Sequence, residues 1–294
     1  VLLMDGAMGT ELQKAGLRDD ENGAAWNLLH PERVRAVHQA YRDAGAEVFL
    51  TNTFMIESDT YAATLQRAGH IYEAFTSWRA AYHVLPGNAP YRLAAVGPLF
   101  GSSAEREFDP LNKLFVPFLL LGGQNPTLEE EKYPDAVLLE TCSSPRTRFA
   151  IRRLHLWSDE PILLSMTYLR EQTGDLVTLS GHSPEWFASR AKGYGAAALG
   201  VNCGRDIGMG DVIEIVRRYR AVTDLPLFAR PNAGTPTREG DRWVYPLTPQ
   251  ALAERLPELL EAGVSMVGGC CGTTPEHIAA CRPIIDDWNA HRAA

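Results

Sequence analysis

The sequence predicts an α/β protein built as a single (β/α)8 TIM barrel, and three observations lead to that prediction. Eight short apolar runs recur along the chain, each ending in a polar or glycine-bearing cluster. Amphipathic stretches lie between them without a linker, which gives the strand–helix count of a closed barrel. The opening DGAMGT at residues 5–10 is not the GxGxxG fingerprint that opens a doubly wound sheet. The 294 residues fit one barrel domain over residues 1–294.

The predicted strands are continuous apolar runs, as strands buried on both faces require. In chain order they are LLMDG from residue 2, EVFLTNTF from 47, RLAAVGP from 92, AVLLETC from 136, PILLSMTY from 161, AALGVNC from 197, PLFARPNAG from 226 and SMVGGCCG from 265.

The predicted helices are marked by apolar spacing and by their ends. Residues 31–44 carry apolar side chains at helical spacing and stop at Gly45. Ser183 before Pro184 is typical of an N-cap followed by proline at the first helical position. Residues 211–219, 248–262 and 275–288 repeat the pattern, and either Thr273 or Thr274 can cap the last of them. Residues 101–134, rich in proline and glycine, are predicted to be a long loop or a broken helix.

Composition excludes several classes of protein. Lys+Arg 28 against Asp+Glu 36 gives a net charge of −8 without a basic run, so we expect no nucleic-acid partner. The N-terminus has no basic signal region, and the apolar run at 114–121 is far short of the roughly 20 residues that cross a bilayer. Five cysteines are too few for a disulfide framework in a chain of this length. We therefore expect a soluble, cytoplasmic protein without a membrane partner.

Three of the five cysteines fall where a barrel places its functional residues, at the carboxyl ends of strands. Cys203 follows the sixth predicted strand, and Cys270 and Cys271 follow the eighth. Three thiolates suit zinc, which binds sulfur in a tetrahedron, and three protein ligands leave one vertex for substrate. Adjacent ligands need an irregular backbone, which the flanking glycines at 268, 269 and 272 permit. The sequence therefore predicts a catalytic Zn²⁺ site.

A zinc ion with three thiolate ligands has a net charge near −1 and is a poor Lewis acid for carbonyls. It can nevertheless lower the pKa of a substrate thiol and keep it nucleophilic at neutral pH. Attack of that sulfur on an electrophilic carbon is the chemistry such a centre favours, with methyl transfer as the simplest case.

The chain resembles the homocysteine S-methyltransferase family in motifs that run over nearly its whole length. They are LLMDGAMGTEL, TNTF, VGP, LLET, GVNC, PNAG and GGCCGTTPEHI, in this order. The opening DGAMGT is most similar to the homocysteine-binding module of cobalamin-dependent methionine synthases. The resemblance implies a (β/α)8 barrel with zinc on Cys203, Cys270 and Cys271, homocysteine as methyl acceptor and methionine as product.

The resemblance also implies a site for the amino acid end of homocysteine. The matching positions are Asp5, Gly6, Ala7 and Glu140. The chemistry agrees, because an ammonium group needs carboxylates and a carboxylate needs exposed backbone N–H groups. Asn202 and Asn232, at strand ends, are expected to be further hydrogen-bonding groups for the substrate.

The chain departs from the family pattern in two places. After LLET the family has a second acidic residue in the next helix, whereas this chain has CSSPR from Cys142. Residues 101–134 also lack the regular helix expected before that strand. Both departures concern the loops at the barrel mouth, where a methyl donor approaches.

Simpler interpretations of the same residues remain open. The three strand-end cysteines can be small core residues, as we expect for Cys142 and Cys281. Asp5 can cap a turn, Glu140 can pair with a structural arginine, and the two asparagines can form ordinary turns. Neither His182 nor His277 is expected to bind metal.

Other functions fit these residues less well than methyl transfer does. An aldolase or a phosphate-binding isomerase is disfavoured, because none of the four lysines follows a predicted strand. A non-catalytic or differently specific zinc barrel remains an alternative. It would bind another thiol compound, methylate selenohomocysteine or selenocysteine, or serve a separate corrinoid protein. The methyl donor is left open among S-methylmethionine, S-adenosylmethionine, betaine and a methylcorrinoid protein.

Overall fold

Eight parallel strands form the barrel that the sequence predicts. The computed structural model describes residues 1–56, 58–70, 74–97, 134–156, 159–204, 206–240 and 242–293. Going round the ring, neighbouring strands begin at residues 2, 264, 227, 198, 162, 136, 91 and 48. A parallel bridge between Met4 and Val48 joins the first strand in this order to the last, and the Asp5 amide donates to the Val48 carbonyl at 2.9 Å. The ring of strands is closed at this point, so the α/β barrel prediction is confirmed.

The barrel strands are β1 (Leu2–Leu3), β2 (Val48–Leu50), β3 (Tyr91–Val96), β4 (Ala136–Cys142), β5 (Ile162–Met166), β8 (Ala198–Asn202), β9 (Leu227–Arg230) and β12 (Val264–Val267). Two antiparallel hairpins follow β5 and β9, namely β6 (Leu169–Arg170) with β7 (Leu176–Val177) and β10 (Thr237–Glu239) with β11 (Arg242–Val244). The described helices span Gly9–Lys14, Trp26–Leu29, Pro31–Asp43, Asp59–Arg67, Ala74–His83, Thr147–Leu154, Pro184–Tyr194, Met209–Arg220, Pro249–Glu261 and Pro275–Ala293.

The strands are apolar throughout because they are buried on both faces. One face of each strand packs against the surrounding helices in the main core. Side chains from the other face fill the barrel interior, where Met4, Leu138 and Phe228 form part of a second apolar cluster. The Phe228 ring lies so close to Gly200 that a Cβ there would come within 2.3 Å of it. Glycine at this position therefore makes room for the Phe228 ring.

Helix ends follow the capping signals in the sequence. The Ser183 hydroxyl accepts a hydrogen bond from the Trp186 amide at 3.4 Å, which confirms it as an N-cap. At the last helix, the Thr274 amide donates to His277 Nδ1 at 3.1 Å, whereas the Thr273 hydroxyl donates to the Cys270 carbonyl. Thr274 is therefore the residue at the helix start, and Thr273 belongs to the loop that carries Cys270 and Cys271.

Two helices run longer than their sequence patterns predict. The helix predicted at 211–219 spans Met209–Arg220, and the helix predicted at 275–288 spans Pro275–Ala293. The stretch from 101 to 134 lies outside the described residues apart from Pro134. Among the described helices, none combines the length and apolar character needed to cross a membrane.

Candidate active site

Three cysteine thiols meet at the carboxyl ends of β8 and β12. The Sγ atoms of Cys203, Cys270 and Cys271 all lie within 4.8 Å of one another, and the Cys203 and Cys271 sulfurs are 3.8 Å apart. Sulfur atoms at about 2.3 Å from a tetrahedral zinc ion are separated by about 3.8 Å. The three thiols therefore fit a zinc ion without rearrangement of this pair. Within the described part of the chain, they form the one group of three or more side chains with metal-ligand spacing.

The backbone between the strands fixes the two cysteine loops against each other. The Cys270 amide donates to the Pro231 carbonyl at 2.8 Å, and the Ala233 amide donates to the Cys271 carbonyl at 3.0 Å. Cys203 has a positive φ of 50°, which turns its side chain out of the regular strand path. In the same segment, the Asn232 side chain donates to the Gly204 carbonyl at 3.1 Å, so the segment after β9 is hydrogen-bonded to both cysteine loops.

The glycines beside Cys270 and Cys271 have different roles. Gly272 has a φ of 79°, and a Cβ on it would come within 2.1 Å of the Tyr245 ring. Gly269 has no positive φ, but a Cβ there would come within 2.2 Å of the Thr273 hydroxyl. Gly272 therefore permits the turn, and Gly269 permits the close approach of the Thr273 side chain.

The three thiols perturb one another strongly. Hydrogen bonds from Cys270 and Cys271 lower the pKa of Cys203, and the same contacts with Cys203 raise the pKa of Cys270 and Cys271. One sulfur is thus stabilised as a thiolate by its two protonated neighbours. A divalent cation at this point would have to displace those protons.

Beside the cysteines lies a buried ion-pair group that we call the carboxylate–arginine triad, formed by Asp5, Glu140 and Arg230. Arg230 ends β9, and its Nη1 donates to Glu140 Oε1 while its Nη2 donates to Asp5 Oδ1 at 3.3 Å. All three residues are at most 6% exposed. The open alternative that Glu140 pairs with an arginine is therefore what the structure shows.

Burial raises the pKa of Asp5 and of Glu140 to about 7 in each case, although the Arg230 charge acts in the opposite direction. One guanidinium against two carboxylates leaves the triad with one negative charge when both acids are ionised. One more positive charge, from a proton or from a ligand, would neutralise the triad.

The turn after β1 is largely occupied by internal contacts. The Ala7 amide donates to the Thr273 hydroxyl at 3.1 Å, and the Ala7 carbonyl accepts from the Tyr41 hydroxyl at 2.8 Å. A Cβ on Gly6 would come within 2.7 Å of the Tyr41 ring. Gly6 therefore permits this packing, and the Ala7 amide is already engaged by a side chain.

The two asparagines support the site from different sides. Asn202 Oδ1 accepts from the Ser165 hydroxyl at 2.5 Å and from the Thr141 amide at 3.1 Å. This holds Thr141, which has a φ of 58° and follows Glu140 directly. Asn232 Nδ2 donates to the Gly204 carbonyl at 3.1 Å, and its side chain also contributes a hydrogen bond that lowers the pKa of Cys203.

None of the remaining candidate residues belongs to the described group with metal-ligand spacing. His182 contacts Ser180 and the Trp186 ring, and His277 lies in the first turn of the last helix. Cys142 and Cys281 are buried, as predicted for core thiols.

A profile of the homocysteine S-methyltransferase family matches residues 2–285. The chain belongs to the homocysteine S-methyltransferase family. Methionine synthase of Mycobacterium leprae (strain TN) is 29% identical over 307 residues, which cover 95% of this chain and 24% of that protein. The chain thus spans about a quarter of the length of this relative.

Solved structures share the barrel. The metallated homocysteine methyltransferase MmuM from Escherichia coli superposes with a TM-score of 0.68 at 23% identity, covering 97% of this chain and 96% of that one. The carboxyl transferase domain of Rhizobium etli pyruvate carboxylase gives a TM-score of 0.56 at 14% identity, covering 99% of this chain and 47% of that one. Because both identities are low, these likenesses support the fold alone.

Within this homocysteine S-methyltransferase family member, sequence reasoning missed Arg230 and Tyr245. The signal for Arg230 was present, because an arginine inside an apolar strand run needs an acidic partner when buried. Tyr245 follows the second hairpin, and burial together with the neighbouring Cys271 side chain raises the pKa of its hydroxyl. No periodicity or motif marks it, since its position depends on how the hairpin folds over the cysteines.

Proposed function

We propose that this protein transfers a methyl group to the sulfur of homocysteine to form methionine, with a zinc ion held by Cys203, Cys270 and Cys271. The main support is the 3.8 Å separation of two cysteine sulfurs within a cluster of three, beside a buried acidic group at the mouth of the barrel. The family assignment supports the methyl transfer and the choice of acceptor.

Zinc, when bound, would keep the substrate sulfur deprotonated at neutral pH. The thiol proton passes to solvent as the substrate binds. The sulfur lone pair then forms a bond to the methyl carbon, and the bond between that carbon and the donor breaks with its electron pair leaving on the donor. Asn232 donates to the Gly204 carbonyl beside Cys203, and Asn202 Nδ2 donates to Cys270 Sγ at 4.0 Å, so both help to position the cysteines. The carboxylate–arginine triad provides the negative charge that attracts the amino group of the substrate.

The source of the methyl group is a separate question. The chain spans about a quarter of a methionine synthase, which favours a donor carried by another domain or protein. Small molecules that carry the methyl group on a sulfonium or a quaternary nitrogen are the other class of donor. Both classes belong in the test.

The test is isotope transfer with zinc-loaded protein. Homocysteine is incubated with S-methylmethionine, S-adenosylmethionine, betaine or methylcobalamin, each labelled in the methyl group, and methionine is quantified by mass spectrometry. We expect label in methionine with at least one donor, and none with the Cys203→Ser variant. Zinc-free protein that methylates homocysteine at the same rate would contradict the proposal.

A further inference from the structure

The loop that carries Cys203 leaves β8 in an unusual backbone conformation. Cys203 has a φ of 50°, and the next residue, Gly204, has a φ of 134°. A left-handed backbone is unfavourable for a residue with a Cβ, so it persists only where the surrounding structure holds it. The direction of this thiol therefore depends on the contacts that fix the two ends of the loop.

The first end of the loop lies against the hairpin that follows β5. A Cβ on Gly204 would come within 2.8 Å of the carbonyl oxygen of Tyr168, the residue that precedes β6. The Tyr168 hydroxyl in turn accepts a hydrogen bond from the Tyr219 hydroxyl at 2.8 Å, and Tyr219 belongs to the helix Met209–Arg220. The base of the hairpin thus contacts both the loop that carries Cys203 and the helix that follows this loop.

The far end of the loop is held by a carboxylate. Gly208 precedes the helix and has no side chain to cap it, but its amide donates to Asp211 Oδ2 at 2.7 Å. The other oxygen, Asp211 Oδ1, accepts from Arg170 Nε at 2.9 Å and also from Arg170 Nη2. One carboxylate therefore binds the loop with one oxygen and the hairpin with the other.

Arg170 is itself fixed within the hairpin. It is the last residue of β6, and its Nη1 donates to the carbonyl of Gly174, while Nη2 also donates to Glu214 Oε2 at 3.1 Å. The Arg170 and Asp211 side chains are 34% and 20% exposed, so their attraction is screened less than that of a fully exposed pair. Because a guanidinium donates in fixed directions, the ion pair sets both the distance and the orientation between the hairpin and the helix.

We propose that Arg170 and Asp211 are a positioning pair for the metal site: their ion pair ties the hairpin to the helix and so holds the Cys203 backbone in the conformation that directs its thiol towards Cys270 and Cys271. Neither Arg170 nor Asp211 belongs to the described group with metal-ligand spacing, so the pair acts through the backbone of the loop. The inference rests on the proposed function, since it concerns the metal site that this function requires.

The test measures zinc affinity by chelator competition for the wild type, Arg170→Met, Asp211→Asn and the double variant. Asparagine at 211 can still accept from the Gly208 amide but no longer carries the charge that faces Arg170. Each single variant should bind zinc about tenfold more weakly, as is usual when an outer contact of a metal site is lost. The double variant should be no weaker than either single variant, because both substitutions remove the same interaction.

Glu214→Gln is the matched control. It removes the other carboxylate that Arg170 contacts, and no hydrogen bond joins Glu214 to the loop that carries Cys203 among the described contacts. Its zinc affinity should stay within about threefold of the wild type. A spectroscopic measurement accompanies the affinities, with Co²⁺ in place of zinc. Because its visible absorption bands report the arrangement of the ligands, Arg170→Met and Asp211→Asn should alter them, whereas Glu214→Gln should not. Loss of fold stability alone would leave the bands of the folded protein unchanged.

The outcomes separate the inference from the proposed function. If the wild-type protein binds zinc and methylates homocysteine, the role given to the pair is wrong when either single variant keeps wild-type zinc affinity or wild-type cobalt bands. Losses that add in the double variant, or an equal loss in Glu214→Gln, would overturn it as well. In each of these cases the function stands. If the wild-type protein binds no zinc, the proposed function fails and the inference fails with it.

Discussion

Replacement of Arg230 by methionine removes the only cation that faces two buried carboxylates in the described part of the site. Asp5 and Glu140 are 3% and 6% exposed, so water cannot solvate either carboxylate when the guanidinium is lost. Breaking a buried ion pair by removing one partner costs about 3–5 kcal/mol. We expect the free energy of unfolding at pH 8 to fall by about this amount.

The cost should depend on pH in a defined direction. The folded-state pKa of each acid is raised to about 7 from ordinary values of 3.8 and 4.5, so the folded protein binds more protons than the unfolded chain between these limits. Wild-type stability from these groups is therefore greatest below pH 4 and falls as the pH rises towards 7. Without Arg230 both pKa values rise further, and at pH 5.5 the acids are protonated and uncharged. The substitution should then cost less than half of its effect at pH 8.

Urea denaturation followed by circular dichroism at pH 5.5 and pH 8 measures both values. Arg255→Met is the matched control, because the Arg255–Glu258 pair is an exposed pair on a helix surface. It should change the free energy of unfolding by no more than about 1 kcal/mol at either pH. An Arg230→Met variant within 1 kcal/mol of wild type at pH 8, or with the same loss at both pH values, would refute the reasoning.

Three further outcomes are expected. Gly200→Ala should lower the free energy of unfolding by about 1–3 kcal/mol in urea titrations, because its Cβ would come within 2.3 Å of the Phe228 ring. Gly193→Ala, with open space around it, should stay within about 1 kcal/mol, and equal losses would contradict the packing argument. Cys203→Ser should lower bound zinc at least tenfold in metal analysis after dialysis, whereas Cys281→Ser should bind zinc as the wild type does. Zinc affinity, measured by chelator competition, should fall as the pH is lowered from 8 to 6, because the cation must displace thiol protons; a constant affinity would contradict the thiol ligands.

Much of the fold follows from local sequence properties. Each apolar run needs burial on both faces, and the parallel barrel is the arrangement that buries eight such strands in one ring. The caps at Ser183 and Thr248 are likewise local, because each depends on a side chain and an amide three residues away. The position of the cysteines also followed from this logic, since strand ends converge at one face.

The triad could not be predicted in the same way. Arg230 is 225 residues from Asp5 and 90 residues from Glu140 along the chain, and the contacts exist only because β1, β4 and β9 meet around the barrel. A buried glutamate at the end of a strand is compatible with an arginine partner, but the sequence does not say which arginine. The asparagines show the same limit, because the contact of Asn202 with Thr141 depends on an irregularity in β4.

X-ray absorption at the zinc edge, recorded before and after homocysteine is added, tests the central proposal most directly. The proposal predicts three sulfur neighbours at about 2.3 Å and one lighter atom in the zinc-loaded protein, and four sulfur neighbours once homocysteine is bound. Fewer than three sulfur neighbours at the start, or a zinc environment that homocysteine leaves unchanged, would contradict it.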